Sequence, residues 1–312
     1  MLTPTQLQAI RDVVATGSLR TAARRLGYSP SAVSQQIASV ERALGVPLFE
    51  RSPRSVRPTA AGAQLARRAA RLLADLEAAE DEMRSFAAAE RGRLHVGSFW
   101  SAGFRLMPAV LTEFLSDRPH VDVRYEEGDP PVTLPAVAEG RLDLAVIFEY
   151  GTVPRNDPSD LERTLILEEP LYVLVPKRHR LARRKRIQVS DLSAERWICY
   201  REDTDAARSL FHICAAGGFR PEVIFRTNDY NLPFELVRNG LGVAIVPELA
   251  LSKSDDVHLI RLANPTHVRR VFAVRRSGDP NPFLDQAVEV LRAAAAAIDE
   301  ELSEAGDLPT AV

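Results

Sequence analysis

Three short apolar patterns open the chain, each closed by a glycine. Leu7, Ile10 and Val14 follow Thr3, Pro4 and Gln6. These are a cap, a first-turn proline and a capping-box partner, so a helix is expected from Pro4 to about Ala15, before Gly17. Ser18 caps a second helix through Leu19, Ala22, Ala23 and Leu26 to Gly27. Ser29 and Pro30 begin a third, in which Val33, Ile37, Val40 and Leu44 recur at spacings of four, three and four before Gly45. Only Gly27 and Tyr28 separate the last two, and helices joined so tightly form a helix-turn-helix. Thr59 then caps a long helix over 60–92. In it Leu65, Ala69, Leu72, Leu76, Ala79, Met83 and Phe86 alternate spacings of four and three, the seam of a helix pair. Such a stripe either dimerises or packs on the chain's own core.

From Arg93 the pattern changes to alternating strands and helices, which defines an α/β body. Strands are expected at Leu94–Gly97, Val121–Glu126 and Leu142–Phe148, with helices at Phe104–Phe114 and Val132–Ala138. A second set starts near Leu165, with strands at Leu171–Val175, Trp197–Tyr200 and Glu222–Arg226 and helices at Ala206–Ala216 and Pro233–Asn239. The strand Val271–Val274 and a last helix, Phe283–Leu302, return to the first set. The expected division is a head over 1–58, a linker helix over 59–92 and a body over 93–312. Within the body, lobe I covers about 93–163 and 266–302 and lobe II about 164–265, with a cleft between them.

Charge sharpens this picture. The net charge of the 312 residues is −2, which taken alone argues against a polyanion partner. The head, however, carries eight arginines against Asp12, Glu41 and Glu50, a net +5, while residues 93–312 are net −6. A basic head on an acidic body suits a polyanion, although a solvated arginine-rich surface has the same composition. No apolar run approaches the ~18 residues needed to cross a bilayer, and the start lacks a secretory pattern, so the chain is expected in the cytoplasm. Two cysteines, Cys199 and Cys214, make neither a disulfide framework nor a four-cysteine zinc site. They read as small buried apolar side chains, with a redox switch as the alternative.

The third helix carries the most specific chemistry. With its apolar set turned inward, Ser31, Ser34, Gln35, Gln36 and Ser39 are left outward or oblique, beside Ser29 and Pro30 at its start. Serine and glutamine both donate and accept, so this face suits base edges in a major groove. Arg51, Arg54 and Arg57, among the prolines of a tight ribbon, suit phosphates. A polar solvent face beside an ordinary loop is the plainer reading.

Runs at fixed spacing over the first 62 residues then carry a resemblance. They are Ala22-Ala23-Arg24-Arg25-Leu26, Ser29-Pro30-Ser31-Ala32-Val33-Ser34-Gln35-Gln36-Ile37, Val40-Glu41-Arg42-Ala43-Leu44-Gly45-Val46-Pro47-Leu48-Phe49-Glu50-Arg51 and Arg57-Pro58-Thr59-Ala60-Ala61-Gly62. Together they resemble the winged helix-turn-helix of the LysR-type transcriptional regulators. Gly140-Arg141-Leu142-Asp143-Leu144-Ala145 and Gly240-Leu241-Gly242-Val243-Ala244-Ile245-Val246-Pro247 resemble two landmarks of that family's effector domain. Gln35 departs from the arginine common among relatives, and Pro58 from a branched apolar residue, so no operator sequence is carried over. The resemblance implies a two-lobed body like a type 2 periplasmic binding protein, a homodimer or homotetramer on a pseudo-palindromic double-stranded DNA operator, and a small-molecule effector between the lobes. No cofactor or membrane is implied.

Strand ends facing that cleft nominate its residues. Ser98, Trp100 and Ser101 sit at a loop before a helix, where free N–H groups favour a carboxylate. Glu127 and Phe148 come from the same lobe, and Tyr200, Thr204 and Asp229 from the other. Glu127, Glu149 and Asp229 would suit an amino group, so the expected effector is anionic or amino-acid-like. The histidines form no metal arrangement, and no G-x-S-x-G, P-loop or G-x-G-x-x-G is present, so catalysis is not expected. The run Lys177–Arg186, with seven basic residues in ten positions, is either a second DNA contact or a solvated loop. The leading function is an effector-responsive DNA-binding regulator. The rivals are a cytosolic small-molecule-binding module whose head only oligomerises and an α/β enzyme with a helical accessory.

Overall fold

A computed structural model describes residues 2–52, 55–87, 92–151, 153, 160–251 and 257–306. The head contains α1 (Pro4–Thr16), α2 (Leu19–Leu26) and α3 (Pro30–Leu44), then a ribbon of β1 (Phe49–Ser52) and β2 (Ser55–Pro58). The expected caps are formed. Thr3 and Gln6 make a reciprocal box, and the hydroxyls of Ser18 and Ser29 accept from the N–H groups of Thr21 and Ala32. Ile10, Val13, Ala22, Val33, Ile37 and Val40 are buried together in one small core; of the expected apolar sets, Val14 is only half-buried, with Val13 in its place, and Leu44, in the last turn, is 47% exposed. Glu41 contributes more than charge: its carboxylate accepts from the N–H groups of Leu48 and Phe49 at 2.8 and 3.1 Å, fixing the ribbon to α3.

Helix α4 (Ala60–Ala87) leaves the head under the cap of Thr59, whose hydroxyl accepts from the Gly62 N–H and donates to the Pro47 carbonyl. Gly62 is required here because a Cβ would lie 2.0 Å from the Leu48 carbonyl oxygen. The apolar stripe of α4 is divided. Ala69 packs on Leu7 of α1 together with Leu73, which lies off the expected stripe, whereas Leu72 and Leu76 remain 53% and 44% exposed. The side chains of Met83 and Phe86 lie outside the described residues. Arg71 ties α4 to the body by donating to the Ala138 carbonyl at 3.1 Å and pairing with Asp160 at 2.6 Å.

The body begins with β3 (Arg93–Ser98), α5 (Trp100–Arg105), α6 (Met107–Asp117), β4 (Asp122–Glu127), α7 (Pro130–Ala138) and β5 (Leu144–Tyr150). The single helix expected over Phe104–Phe114 is two, broken at Leu106 just before Met107-Pro108. The strand β6 (Leu161–Pro176) is far longer than the expected Leu171–Val175, because its first half pairs with lobe I before its second half enters lobe II. Lobe II adds β7 (Arg186–Ile187), β8 (Arg196–Tyr200), α8 (Asp205–Ala216), β9 (Glu222–Thr227), α9 (Leu232–Arg238), β10 (Ala244–Pro247) and β11 (Val257–Leu262). The return is made by β12 (Val268–Arg276) and α10 (Leu284–Gly306). One sheet in the order β4-β3-β5-β12-β6-β11-β7 runs through both lobes, with β6 and β12 as antiparallel crossing strands.

The landmark after α7 has a structural cause. Gly140 adopts φ +74° and lets α4 approach so closely that a Cβ would lie 2.2 Å from that of Ala74. Asp143 accepts from the His95 N–H at 2.8 Å and so fixes the start of β5 beside β3.

Candidate nucleic-acid interface and effector cleft

Burial of Val33, Ile37 and Val40 orients α3. Ser29, Pro30, Ser31 and Gln35 are exposed, and Ser34 and Gln36 are half-buried on its flanks. The Ser29 hydroxyl caps the helix and is hydrogen-bonded at 2.9 Å to that of Ser31, so Ser31 faces outward with its hydroxyl tied to the cap and Gln35 extends outward one turn further on. Arg24, Arg25 and Arg42 are exposed near the same helix, and Arg57 is exposed on β2. The Arg51 side chain, and Arg54 altogether, lie outside the described residues. The arrangement is a short, uncharged, hydrogen-bonding ridge flanked by guanidinium groups.

The cleft is organised by a pair of residues the sequence did not nominate. Glu169 on β6 and Arg269 on β12 are register partners on the crossing strands, and both side chains are 2% exposed. Arg269 Nε donates to Glu169 at 2.5 Å and its Nη2 donates to Ser101 Oγ of α5 at 2.9 Å. The rings of Phe99 and Phe148 cover the guanidinium at 4.8 and 5.2 Å. The second Glu169 oxygen accepts from the Leu249 N–H in lobe II at 2.6 Å. Through this pair α5 of lobe I is connected to the far lobe. One residue on, Glu168 and Arg270 form the same pair on the opposite, exposed face, as strand alternation requires.

A row of aromatic rings joins the two lobes near this pair. Trp100 of α5 stacks on Tyr230 of lobe II with centroids 4.6 Å apart, and on Phe104 at 5.5 Å. Tyr230 in turn meets Tyr200 at 5.3 Å. The Tyr200 hydroxyl is buried without a hydrogen-bond partner among the described residues. Burial pushes the phenol of Tyr150 up to about 12 and that of Tyr200 well above its ordinary value, so both present neutral hydroxyls beside Arg269. Asp129, at the start of α7, is raised by burial and then by Glu127, an acidic pair on the lobe I rim.

The nominated residues therefore divide. Ser101, Phe148 and Tyr200 gather around Arg269, Trp100 stacks on Tyr230, and Glu127 lies on the rim with Asp129. Ser98 is fully buried, its hydroxyl 2.9 Å from that of Tyr125, and Ser101 is committed to Arg269. Thr204 caps α8 by accepting from the Ala207 N–H, and Asp229 accepts from the N–H groups of Asn231 and Leu232. Sequence reasoning missed Arg269, Glu169, Tyr150 and Tyr230. No motif marks them, since their contacts join positions about a hundred residues apart.

A winged helix-turn-helix head on a two-lobed α/β body joined by crossing strands defines a class: a DNA-binding regulator with a ligand-sensing domain. Comparison with known proteins agrees. The model of the bacterial regulatory helix-turn-helix protein of the lysR family matches residues 4–63, and that of the LysR substrate binding domain matches residues 87–296. The small neutral protease regulatory protein of Streptomyces coelicolor is 31% identical over 271 residues, covering 86% of this chain and 80% of that one. The transcriptional dual regulator GltC of Bacillus subtilis is 28% identical over 232 residues, covering 74% and 76%. Among solved structures, full-length OxyR from Pseudomonas aeruginosa superposes with TM-score 0.70 at 23% identity over 95% of each chain. Full-length CbnR in complex with its target DNA gives 0.62 at 24%, over 94% of this chain and 99% of that one. The chain belongs to the LysR family and is a DNA-binding transcriptional regulator with an effector-binding domain. The family assignment sets aside the alternative of a binding module whose head only oligomerises.

Proposed function

We propose that α3 reads operator bases through Ser31, Ser34, Gln35 and Gln36 while Arg51, Arg54 and Arg57 hold phosphates, and that a small zwitterion in the cleft controls this binding. The observation that carries the first part is the burial of Val33, Ile37 and Val40, which leaves Ser31 and Gln35 facing solvent with no charge between them. For the second, the cleft has hydroxyl donors at one end and acids at the other. Arg269 is neutralised by Glu169, and beside that pair the hydroxyls of Ser101, Tyr150 and Tyr200 can donate to a carboxylate. Asp129 and Glu127 suit an ammonium group, and Trp100 and Tyr230 flank a side chain between them.

The exposed Leu72, Leu76 and Ala79 on α4 support a homodimer built on this helix, doubled or not into a tetramer. The effector changes the angle between lobes, α4 relays it, and the spacing of the heads follows. The reading assigns the chain no catalysis and places its work in the cytoplasm, with the chromosome.

The experiment is footprinting of the purified protein on the DNA upstream of its own gene, with candidate amino acids and related zwitterions added in turn. Two protected half-sites whose spacing changes with one such compound support the reading. Protection that no zwitterion alters removes the effector assignment, and protection that spreads evenly along any DNA removes the base-reading face.

A further inference from the structure

Away from the head and the cleft, lobe II carries a dense positive charge between β6 and β7. Residues 177–186 place seven Lys and Arg in ten positions on a body whose net charge over 93–312 is −6. The segment is a series of tight turns: the N–H groups of His179, Ala182 and Arg184 donate to the carbonyls of Pro176, His179 and Leu181. Its inward side chains anchor it. Leu181 is buried, His179 and Arg180 meet the Glu195 carboxylate at 3.1 and 3.0 Å, and Arg180 also donates to the Asp191 carbonyl.

The outward side chains are a different set. Lys177, Arg178, Arg183, Arg184, Lys185 and Arg186 are all exposed, and none has an ion-pair partner among the described residues. Arg261, exposed on β11, is the register partner of Arg186 and adds to the same patch. Six cations held on a well-anchored loop repel one another, a cost that an anionic partner removes. The kind of partner follows from what the patch lacks. A protein interface is centred on aromatic or apolar anchors and is poor in lysine, whereas here Leu181 is buried and every exposed group is Lys or Arg. A phosphate backbone needs no apolar centre and is met by guanidinium forks on a fixed loop.

We propose that residues 177–186 are a second DNA contact, which grips phosphates outside the reach of α3 and the β1–β2 ribbon. The proposal rests on the chain's DNA binding and is independent of what fills the cleft. The test uses the full-length protein as wild type and with Lys177→Gln, Arg178→Gln, Arg183→Gln, Arg184→Gln, Lys185→Gln and Arg186→Gln combined. Each is titrated over a range of salt against a long operator fragment and a fragment trimmed to the footprint of the heads. Each lost phosphate contact lowers the slope of log K against log salt by ~0.9, so a drop of roughly two to four and a loss of affinity at low salt of at least ~10-fold are expected on the long fragment only. On the trimmed fragment the two proteins should bind alike, which also shows that the variant's heads are intact. The pair Arg183→Gln and Arg184→Gln, a milder change, should lower the long-fragment slope by about one to two.

Equal slopes for wild type and both variants on the long fragment would overturn the proposal, as would an equal loss on both fragments. Unchanged slopes together with salt-sensitive loss of binding to purified RNA polymerase would overturn it in favour of an acidic protein surface. Failure of the wild type on the trimmed fragment would instead strike at the reading of α3.

Discussion

Trp100 and Tyr230 lie face to face, one on each lobe, with centroids 4.6 Å apart and planes 1° from parallel. A stacked pair contributes about 0.5–1.5 kcal/mol beyond the area it buries, enough to shift a balance between open and closed lobes by roughly 2- to 12-fold. Tyr230→Ala should therefore loosen the lobes and move Trp100 emission to longer wavelength, whereas Tyr230→Phe should keep the wild-type spectrum. Fluorescence in a Trp197→Phe background isolates the signal, since the chain has two tryptophans. Identical spectra for Tyr230→Ala and Tyr230→Phe would separate this stack from lobe closure.

The Arg269–Glu169 pair makes a prediction about stability. Removing one member of a buried ion pair strands the other's charge and costs about 3–5 kcal/mol. Arg269→Met should cost about that much, because Glu169 would keep only its backbone donors. The double change Arg269→Met with Glu169→Gln should recover a large part of it. Urea unfolding of the four proteins checks this, and additive losses in the double variant would contradict the pairing.

Much of the head was legible because its signals are local. Thr3, Ser18 and Ser29 each cap a helix three residues away, and the spacing of Val33, Ile37 and Val40 determines which face is buried. The cleft floor was not legible. Arg269 lies in the run Val268-Arg269-Arg270-Val271, where either arginine reads as a solvated strand residue. Only the pairing of β12 with β6 and β5 turns Arg269 inward and Arg270 out. Trp100 was nominated for its loop, but its stacking partner is 130 positions away in lobe II. Thr204 and Asp229 are nominated for the cleft and are found accepting from backbone N–H groups, because a capping side chain and a ligand-binding one have the same composition at a helix start.

The two cysteines yield a redox prediction. Burial pushes the thiol of Cys199 up to about 11 and that of Cys214 up to about 12. Both values are raised, so the reactive thiolate appears only in strong alkali; at pH 7 its fraction is ~10⁻⁴ or less. Native protein should resist alkylation at neutral pH and react fully once unfolded, and peroxide should leave DNA binding unchanged. Mass spectrometry of the labelled protein checks the first outcome. Rapid modification of Cys199 in the native state would reopen the redox switch.

The central claim is that α3 reads bases and the arginines around it do not. It is tested most directly by titrating full-length wild type, Gln35→Ala and Arg57→Ala against the operator and against a scrambled duplex of equal length, over a range of salt. The account predicts that Gln35→Ala loses about 1–3 kcal/mol on the operator, roughly 5- to 150-fold, with no change on the scrambled duplex. It predicts that Arg57→Ala weakens both and lowers the salt slope by ~0.9. Equal loss on both duplexes for Gln35→Ala would contradict it.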